Sequence, residues 1–263
     1  MIRLLALDLD DTLVNSQRII SQANKDAVQA ARKKGVIVTF ATGRAYSGTR
    51  PVCEELGLDE IPVITFGGAK IVNYPDDKIL HQELLTPDMV QEVLAFAEKN
   101  DVYAQVYDSD VFCYNKETEE SQYYGQRLAV PGKQIDFKSA ALDNSAKVLL
   151  IVQPDKLQDL YAKAVAALGE RFHVVSSSSR FVEFYPLGID KGSALAWLGQ
   201  YFDVAPEEML AMGDTGIDAA MLHYAGLGVA VANATAEAKA AADLLTVSAD
   251  EDAVARIIEE YIL

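Results

Sequence analysis

The sequence predicts an α/β protein, a doubly wound parallel sheet interrupted by an inserted α+β module. Three patterns predict it: short apolar runs that each stop at a polar residue, helical stretches that follow several of them, and a middle section in which strands alternate instead. Residues 2–7 form the first run and end at Asp8. Continuous apolarity over so short a length suits a strand covered on both faces. Residues 23–34 then carry a helical pattern closed by Gly35, and residues 36–41 form a second run ending at Thr42. From about residue 84 to 186 the pattern changes to a helix at 88–99, strands at 102–107, 111–114 and 147–152, a helix at 157–168, and strands near 172–175 and 181–185. Neighbouring strands with alternating pattern predict an antiparallel sheet. The polar, glycine- and proline-bearing tract 125–143 reads as a loop or a short irregular helix. The parallel design returns with a helix at 193–202, a run at 209–212 ending at Gly213 and Asp214, a helix at 219–225 closed by Gly226, a run at 227–232 before Asn233, and a last helix at 253–261. Ligands of such sheets bind beyond the carboxyl ends of the strands, so the four polar strand ends are expected to converge on one crevice.

At about 150 residues per domain, 263 residues suggest two domains, expected here as 1–83 with 187–263 and the inserted 84–186. Hydrophobic residues make up 50% of the chain, enough to build both cores. The 23 basic and 39 acidic residues leave a formal charge of -16, a field that repels polyanions and argues against nucleic acid or anionic membrane as partners. Any phosphate must therefore be small and held locally. Only Cys53 and Cys113 are present, without metal-ligand spacing, which excludes a disulfide framework and fits a reducing compartment. No apolar run approaches the roughly 18 residues of a membrane span, and Asp8 interrupts the start too early for a signal segment. A cytoplasmic location is expected; oligomeric state is not written in these patterns.

Four constellations carry chemistry. Asp8 and Asp10 are two apart in extended chain, so both carboxylates can face one reacting atom, although D-x-D-x-T alone is equally an ordinary solvated turn. Thr42, Gly43 and Arg44 offer an anion a hydroxyl, backbone N–H groups and a guanidinium; a plain strand-to-helix turn is the competing reading. Lys191 opens a helix, where a cation opposes the dipole, so its presence suggests a purpose beyond helix stability. Asp214 and Asp218 are four apart and can lie on one side of their turn. Tyr103, Gln105 and Tyr107, like Glu183 and Tyr185, share strand faces and read as sheet surface or core rather than ligand contacts.

In this order, with FATGR, GIDKGSAL, GD followed by D, and AGLGVAVANA, the residues resemble the haloacid dehalogenase superfamily over essentially the whole chain, and within it the Cof-type phosphatases. That resemblance implies a Rossmann-like core with an α/β cap at the position of the inserted module. It implies Asp8 as nucleophile, Asp10 as general acid/base, Thr42 as phosphate-binding hydroxyl with Gly43 and Arg44 beside it, and Lys191 as the cation orienting phosphate. Asp8, Asp214 and a backbone carbonyl of Asp10 are implied as Mg²⁺ ligands, with Asp218 a further candidate. The substrate implied is a small phosphorylated metabolite, a sugar phosphate or phosphorylated cofactor, cleaved through a phosphoaspartate. An oxygen-only donor set suits Mg²⁺.

The chain departs from the family pattern at Ile217, usually Asn, at Gly67, where the family commonly has Asn in NGA, and at Asp11, more often Gly. Loss of one preorganised donor can cost about 10²–10³ in rate. A weakened ligand-binding or regulatory protein on the same scaffold is therefore one alternative and a phosphomutase another. A nucleotide-dependent oxidoreductase is disfavoured, because no GxGxxG follows the first strand.

Overall fold

The computed structural model describes residues 1–128 and 132–263, and the described residues form two compact units. The first comprises Met1–Arg44, Thr49–His81 and Asp190–Leu263; the second comprises Ala45–Gly48 and Gln82–Ile189. In chain order the elements are β1 (Leu4–Leu7), α1 (Gln22–Lys33), β2 (Ile37–Ala41), α2 (Arg50–Glu55), β3 (Ile61–Thr65), β4 (Lys70–Tyr74) and β5 (Lys78–Gln82). There follow α3 (Pro87–Lys99), β6 (Tyr103–Asp108), β7 (Val111–Tyr114), α4 (Glu119–Leu128), β8 (Lys133–Gln134), β9 (Val148–Ile151), α5 (Leu157–Leu168), β10 (Phe172–Ser178) and β11 (Phe181–Pro186). The chain ends with α6 (Lys191–Phe202), β12 (Met209–Gly213), α7 (Ala219–Tyr224), β13 (Leu227–Ala230), α8 (Ala236–Ala241), β14 (Leu244–Leu245) and α9 (Ala253–Tyr261).

The first unit is built on an 8-stranded sheet of order β14-β13-β12-β1-β2-β3-β4-β5. Neighbours from β14 through β3 run parallel, and β4 returns antiparallel to β3. Every residue of β1 is buried, as continuous apolarity at Leu4–Leu7 requires of a strand covered on both faces. Leu7 pairs with Met212 and with Phe40, so the chain leaves β1, β2 and β12 at one edge of the sheet, where Asp8, Thr42 and Asp214 follow. Helix α1 packs against α9 and α6 against α7. Three strands on one flank of this sheet, β3, β4 and β5, lie outside the elements read from the sequence. Their pattern is short and bounded by Gly67, Gly68 and Pro75, which a periodicity search reads as loop.

The second unit has a 6-stranded sheet of order β10-β11-β9-β6-β7-β8, antiparallel except between β7 and β8. Val106, Val148, Leu150, Val182 and Phe184 share a core with Val90 and Val93 of α3 and Leu160 and Ala164 of α5. The expectation of a loop or irregular helix over 125–143 is corrected in part. Residues 125–128 complete the regular helix α4, which starts where Thr118 and Ser121 cap each other: each backbone N–H donates to the other's hydroxyl, at 2.9 and 3.4 Å. Residues 129–131 of that tract lie outside the described residues. No described helix is long and apolar enough to cross a membrane. Cys53 and Cys113 are unbridged and buried.

Candidate active site

Asp8 leaves β1 with its backbone N–H donating to the Met212 carbonyl at 2.9 Å, which ties it to β12 and so to Asp214. The residue is only 6% exposed. Lys191 reaches it from the first turn of α6, whose start is fixed by a reciprocal cap between Asp190 and Ser193. The Lys191 ammonium, fully buried, donates to Asp8 Oδ1 at 2.6 Å and to Asp218 Oδ1 at 2.5 Å. Burial pulls that ammonium down, but Asp218 and Asp8 outweigh it and leave its pKa above the ordinary lysine value. The cation at a helix start is thus held by two carboxylates.

The other oxygen of Asp218 accepts from the Asp214 and Thr215 N–H groups at 3.1 and 2.9 Å and from the Thr215 hydroxyl at 3.1 Å. Only glycine fits at 213, because a Cβ there would stand 2.5 Å from the Asp218 Cβ. This close approach lets the turn fold back over the strand end. Asp214 Oδ1 accepts from the Thr12 hydroxyl at 3.4 Å. Asp8, Asp214 and Asp218 each bring a carboxylate oxygen within 4.8 Å of the others.

Three buried carboxylates face one ammonium here. Burial chiefly, opposed by Lys191 and reinforced by Asp218, pushes Asp8 up to about 7; burial, Asp8 and Asp218 push Asp214 up to about 9. Fully ionised, such a cluster would carry more negative charge than Lys191 neutralises, and its donors are all oxygen. A hard divalent cation fits this chemistry. Asp214 and Asp8 are the better placed to hold one, since both oxygens of Asp218 already accept hydrogen bonds from the protein.

Thr42 is buried at the end of β2; its hydroxyl accepts from the Arg44 N–H at 3.1 Å, and its carbonyl accepts from the Gly67 N–H at 2.9 Å. Among the described residues no hydrogen bond joins Thr42 to the carboxylate cluster. The Arg44 side chain, expected beside phosphate, grips Asp10: Nε donates to Oδ2 at 2.8 Å and Nη2 to Oδ1 at 2.6 Å. Arg18 adds a bond to Asp10 Oδ1 at 2.8 Å. Asp10 thus belongs to a cation pair of its own.

The departures from the family pattern have local reasons. Gly67 sits at φ 61, ψ 18, the left-handed region that glycine and asparagine both adopt, so the backbone course survives the loss of the amide. Asp11 is left-handed too, at φ 60, a conformation Asp tolerates better than most residues. Ile217 is buried, with its Cδ1 4.0 Å from where a side chain on Gly43 would begin. Three site contributors escaped the sequence reading. Thr12 and Thr215 carried a signal, as hydroxyls beside the paired aspartates. Arg18 carried none, since its approach to Asp10 depends on how the β1–α1 connection folds.

The profile of the haloacid dehalogenase-like hydrolases matches residues 5–258. The chain belongs to that family. It is 28% identical over 263 residues to the 5-amino-6-(5-phospho-D-ribitylamino)uracil phosphatase YcsE of Bacillus subtilis, covering 100% of this chain and 96% of that one. It is 28% identical over 244 residues to the HMP-PP phosphatase of Escherichia fergusonii, covering 91% and 88%. The crystal structure of a haloacid dehalogenase-like hydrolase from Bacteroides thetaiotaomicron superposes with a TM-score of 0.86 at 28% identity, covering 98% of this chain and 99% of that one.

Proposed function

We propose that this phosphoric monoester hydrolase cleaves small phosphorylated metabolites, sugar phosphates or phosphorylated cofactors, through a phosphoaspartate on Asp8 and with Mg²⁺. One observation carries the reading: a buried carboxylate at a strand end, Asp8, is held at 2.6 Å by a buried ammonium beside two further carboxylates. An attacking carboxylate meets an anion, so positive charge must be positioned beforehand. Lys191 supplies part of it. When bound, Mg²⁺ held by Asp8, Asp214 and the Asp10 carbonyl would supply the rest, as charge against the phosphoryl oxygens.

In the proposed sequence an Asp8 oxygen bonds to phosphorus as the bond to the leaving oxygen breaks, and Asp10 gives that oxygen a proton. Asp10 then takes a proton from water as the water attacks phosphorus, freeing inorganic phosphate and restoring Asp8. Thr42 and the Gly43 N–H would hold phosphoryl oxygens. Asp218 would orient Lys191 and the turn bearing Asp214, as its hydrogen bonds suggest. Residues 84–186 are proposed to be the cap that selects the leaving group. The relatives named for phosphatase activity, YcsE and the HMP-PP phosphatase, support the substrate class. The test is a panel of phosphorylated metabolites with purified protein. Phosphate release that needs both Mg²⁺ and Asp8 is expected from at least one; none from any ester, including p-nitrophenyl phosphate, would overturn the reading.

A further inference from the structure

We propose that Arg44 and Arg18 are positioning residues that clamp the Asp10 carboxylate for proton transfer, and that the Arg44 guanidinium serves Asp10 and not the phosphate. The proposal rests on the phosphatase reading for Asp10's role, but its geometry stands apart from it. The fork of Arg44 meets both Asp10 oxygens, Nε on Oδ2 at 2.8 Å and Nη2 on Oδ1 at 2.6 Å, the bidentate match that only a guanidinium gives a carboxylate. The Arg44 backbone is fixed on both sides: its N–H donates to Thr42 Oγ1 at 3.1 Å, and its carbonyl accepts from the Phe66 N–H at 2.9 Å. A guanidinium so anchored would have to break two charge-assisted bonds to turn toward a phosphate.

The β1–α1 connection is shaped to bring the second cation in. Arg18 has φ 64, a left-handed conformation uncommon for a long side chain, and such outliers persist where the surroundings impose them. Here the imposing bonds are local. The Arg18 N–H donates to the Asn15 carbonyl at 2.9 Å, the Asn15 N–H to the Ile19 carbonyl at 3.0 Å, and the Asn15 side-chain oxygen accepts from the Gln17 and Ile19 N–H groups at 3.0 and 3.2 Å. The Arg18 guanidinium then lies 2.8 Å from Asp10 Oδ1. The two cations approach from different segments, one after β2 and one after β1, and meet on the one carboxylate that must hand a proton to the leaving group and take one from water. Efficient proton transfer requires that carboxylate to be held in hydrogen-bond reach of both.

The test separates a clamp from a phosphate ligand. Arg44→Lys keeps the charge and loses the fork. With an alkyl phosphate its kcat is expected to fall about 10–10²-fold, with KM within about twofold, and the loss with p-nitrophenyl phosphate to be smaller, because an aryl oxide needs little protonation. Arg18→Gln is expected to show a weaker version of the same split. In an Asp10→Asn background Arg44→Lys should cost nothing further, since a residue acting through Asp10 has nothing left to position. Inorganic phosphate, titrated calorimetrically with Mg²⁺ present, should bind wild type and Arg44→Lys alike. A tenfold weaker phosphate affinity, a raised KM with kcat kept, equal losses on aryl and alkyl esters, or an undiminished effect in the Asp10→Asn background would each overturn the clamp. Wild type that hydrolyses no phosphate ester would instead sink the phosphatase reading, while the phosphate titration would still decide whether Arg44 is an anion ligand.

Discussion

Each unit of this protein buries a lysine against acid, and the two arrangements have opposite charge balance. In the first unit one ammonium, Lys191, faces Asp8, Asp214 and Asp218, and burial drives Asp8 and Asp214 far above their ordinary range. In the second unit Lys147 donates to Glu183 Oε2 at 2.9 Å, the Ser177 hydroxyl to Oε1 at 2.5 Å, and the Tyr185 hydroxyl to Oε2. Burial pushes Glu183 up, yet Lys147 and these hydroxyl donors outweigh it and hold its pKa below the ordinary value. The rings of Tyr107 and Tyr185 lie 5.7 and 5.8 Å from the Lys147 ammonium. One cluster is electrostatically complete without a ligand; the other would carry surplus negative charge once its carboxyls ionise, and without a cation it holds protons instead. Burial alone therefore does not mark a site; the uncompensated charge does.

The largest expected effect is on chemistry. Asp8→Asn should lower kcat by about 10⁴-fold or more while thermal unfolding shows an intact fold, because the amide keeps the shape and loses the nucleophile. The lysines come next. Lys147→Met leaves Glu183 buried without its cation and should cost about 3–5 kcal/mol, read by denaturant unfolding, with Mg²⁺ giving no relief. Lys191→Met should also destabilise the metal-free protein, but there Mg²⁺ should restore much of the loss, since a divalent cation offsets the same carboxylates. Equal responses of the two variants to Mg²⁺ would erase the distinction between the units.

The pH dependence should have opposite signs. Asp8 and Asp214, raised to about 7 and about 9, favour folding fully only below the ordinary Asp pKa of about 3.9, so the chelated protein should lose stability as pH rises through that window. Glu183, lowered, contributes above the ordinary Glu pKa of about 4.3 and is lost as pH falls through its folded value. Melting curves at each pH in chelator and in Mg²⁺ should show the cation removing the alkaline loss and leaving the acid loss unchanged. The smallest effect concerns Ile217. Restoring an amide with Ile217→Asn should raise kcat/KM about tenfold through one added donor beside Gly43, at about 1–3 kcal/mol of stability because a buried side chain is made polar. Lower stability with no gain in rate would mean that the turn has been rebuilt around the isoleucine.

The parallel core was readable because its strands are buried on both faces, so β1, β2, β12 and β13 announce themselves as apolar runs closed by polar residues. The flank from β3 to β5 was not, since the β3–β4 turn depends on backbone angles at Gly67 that composition does not specify. At the site, side chains at strand ends and helix starts were legible: Asp8, Asp214, Asp218 and Lys191 meet as their positions suggest. The partner of Arg44 was not, because guanidinium reach exceeds what spacing constrains, and Asp10 competes with any anion for it. The strand faces bearing Tyr107, Glu183 and Tyr185 were readable as sheet surface or core, but not the pairing of Lys147 with Glu183, which are 36 residues apart and meet only through the pairing of β9 with β11.

If Asp8 carries the phosphoryl group during turnover, reductive trapping will mark that residue. Borohydride reduces an acyl phosphate to an alcohol, converting a phosphorylated Asp8 to homoserine. Protein quenched into borohydride during turnover with Mg²⁺ and substrate should yield homoserine at position 8 in its peptide masses, and none without substrate. Unmodified Asp8 throughout Mg²⁺-dependent turnover, or trapping at a different carboxylate, would mean that Asp8 is not the nucleophile.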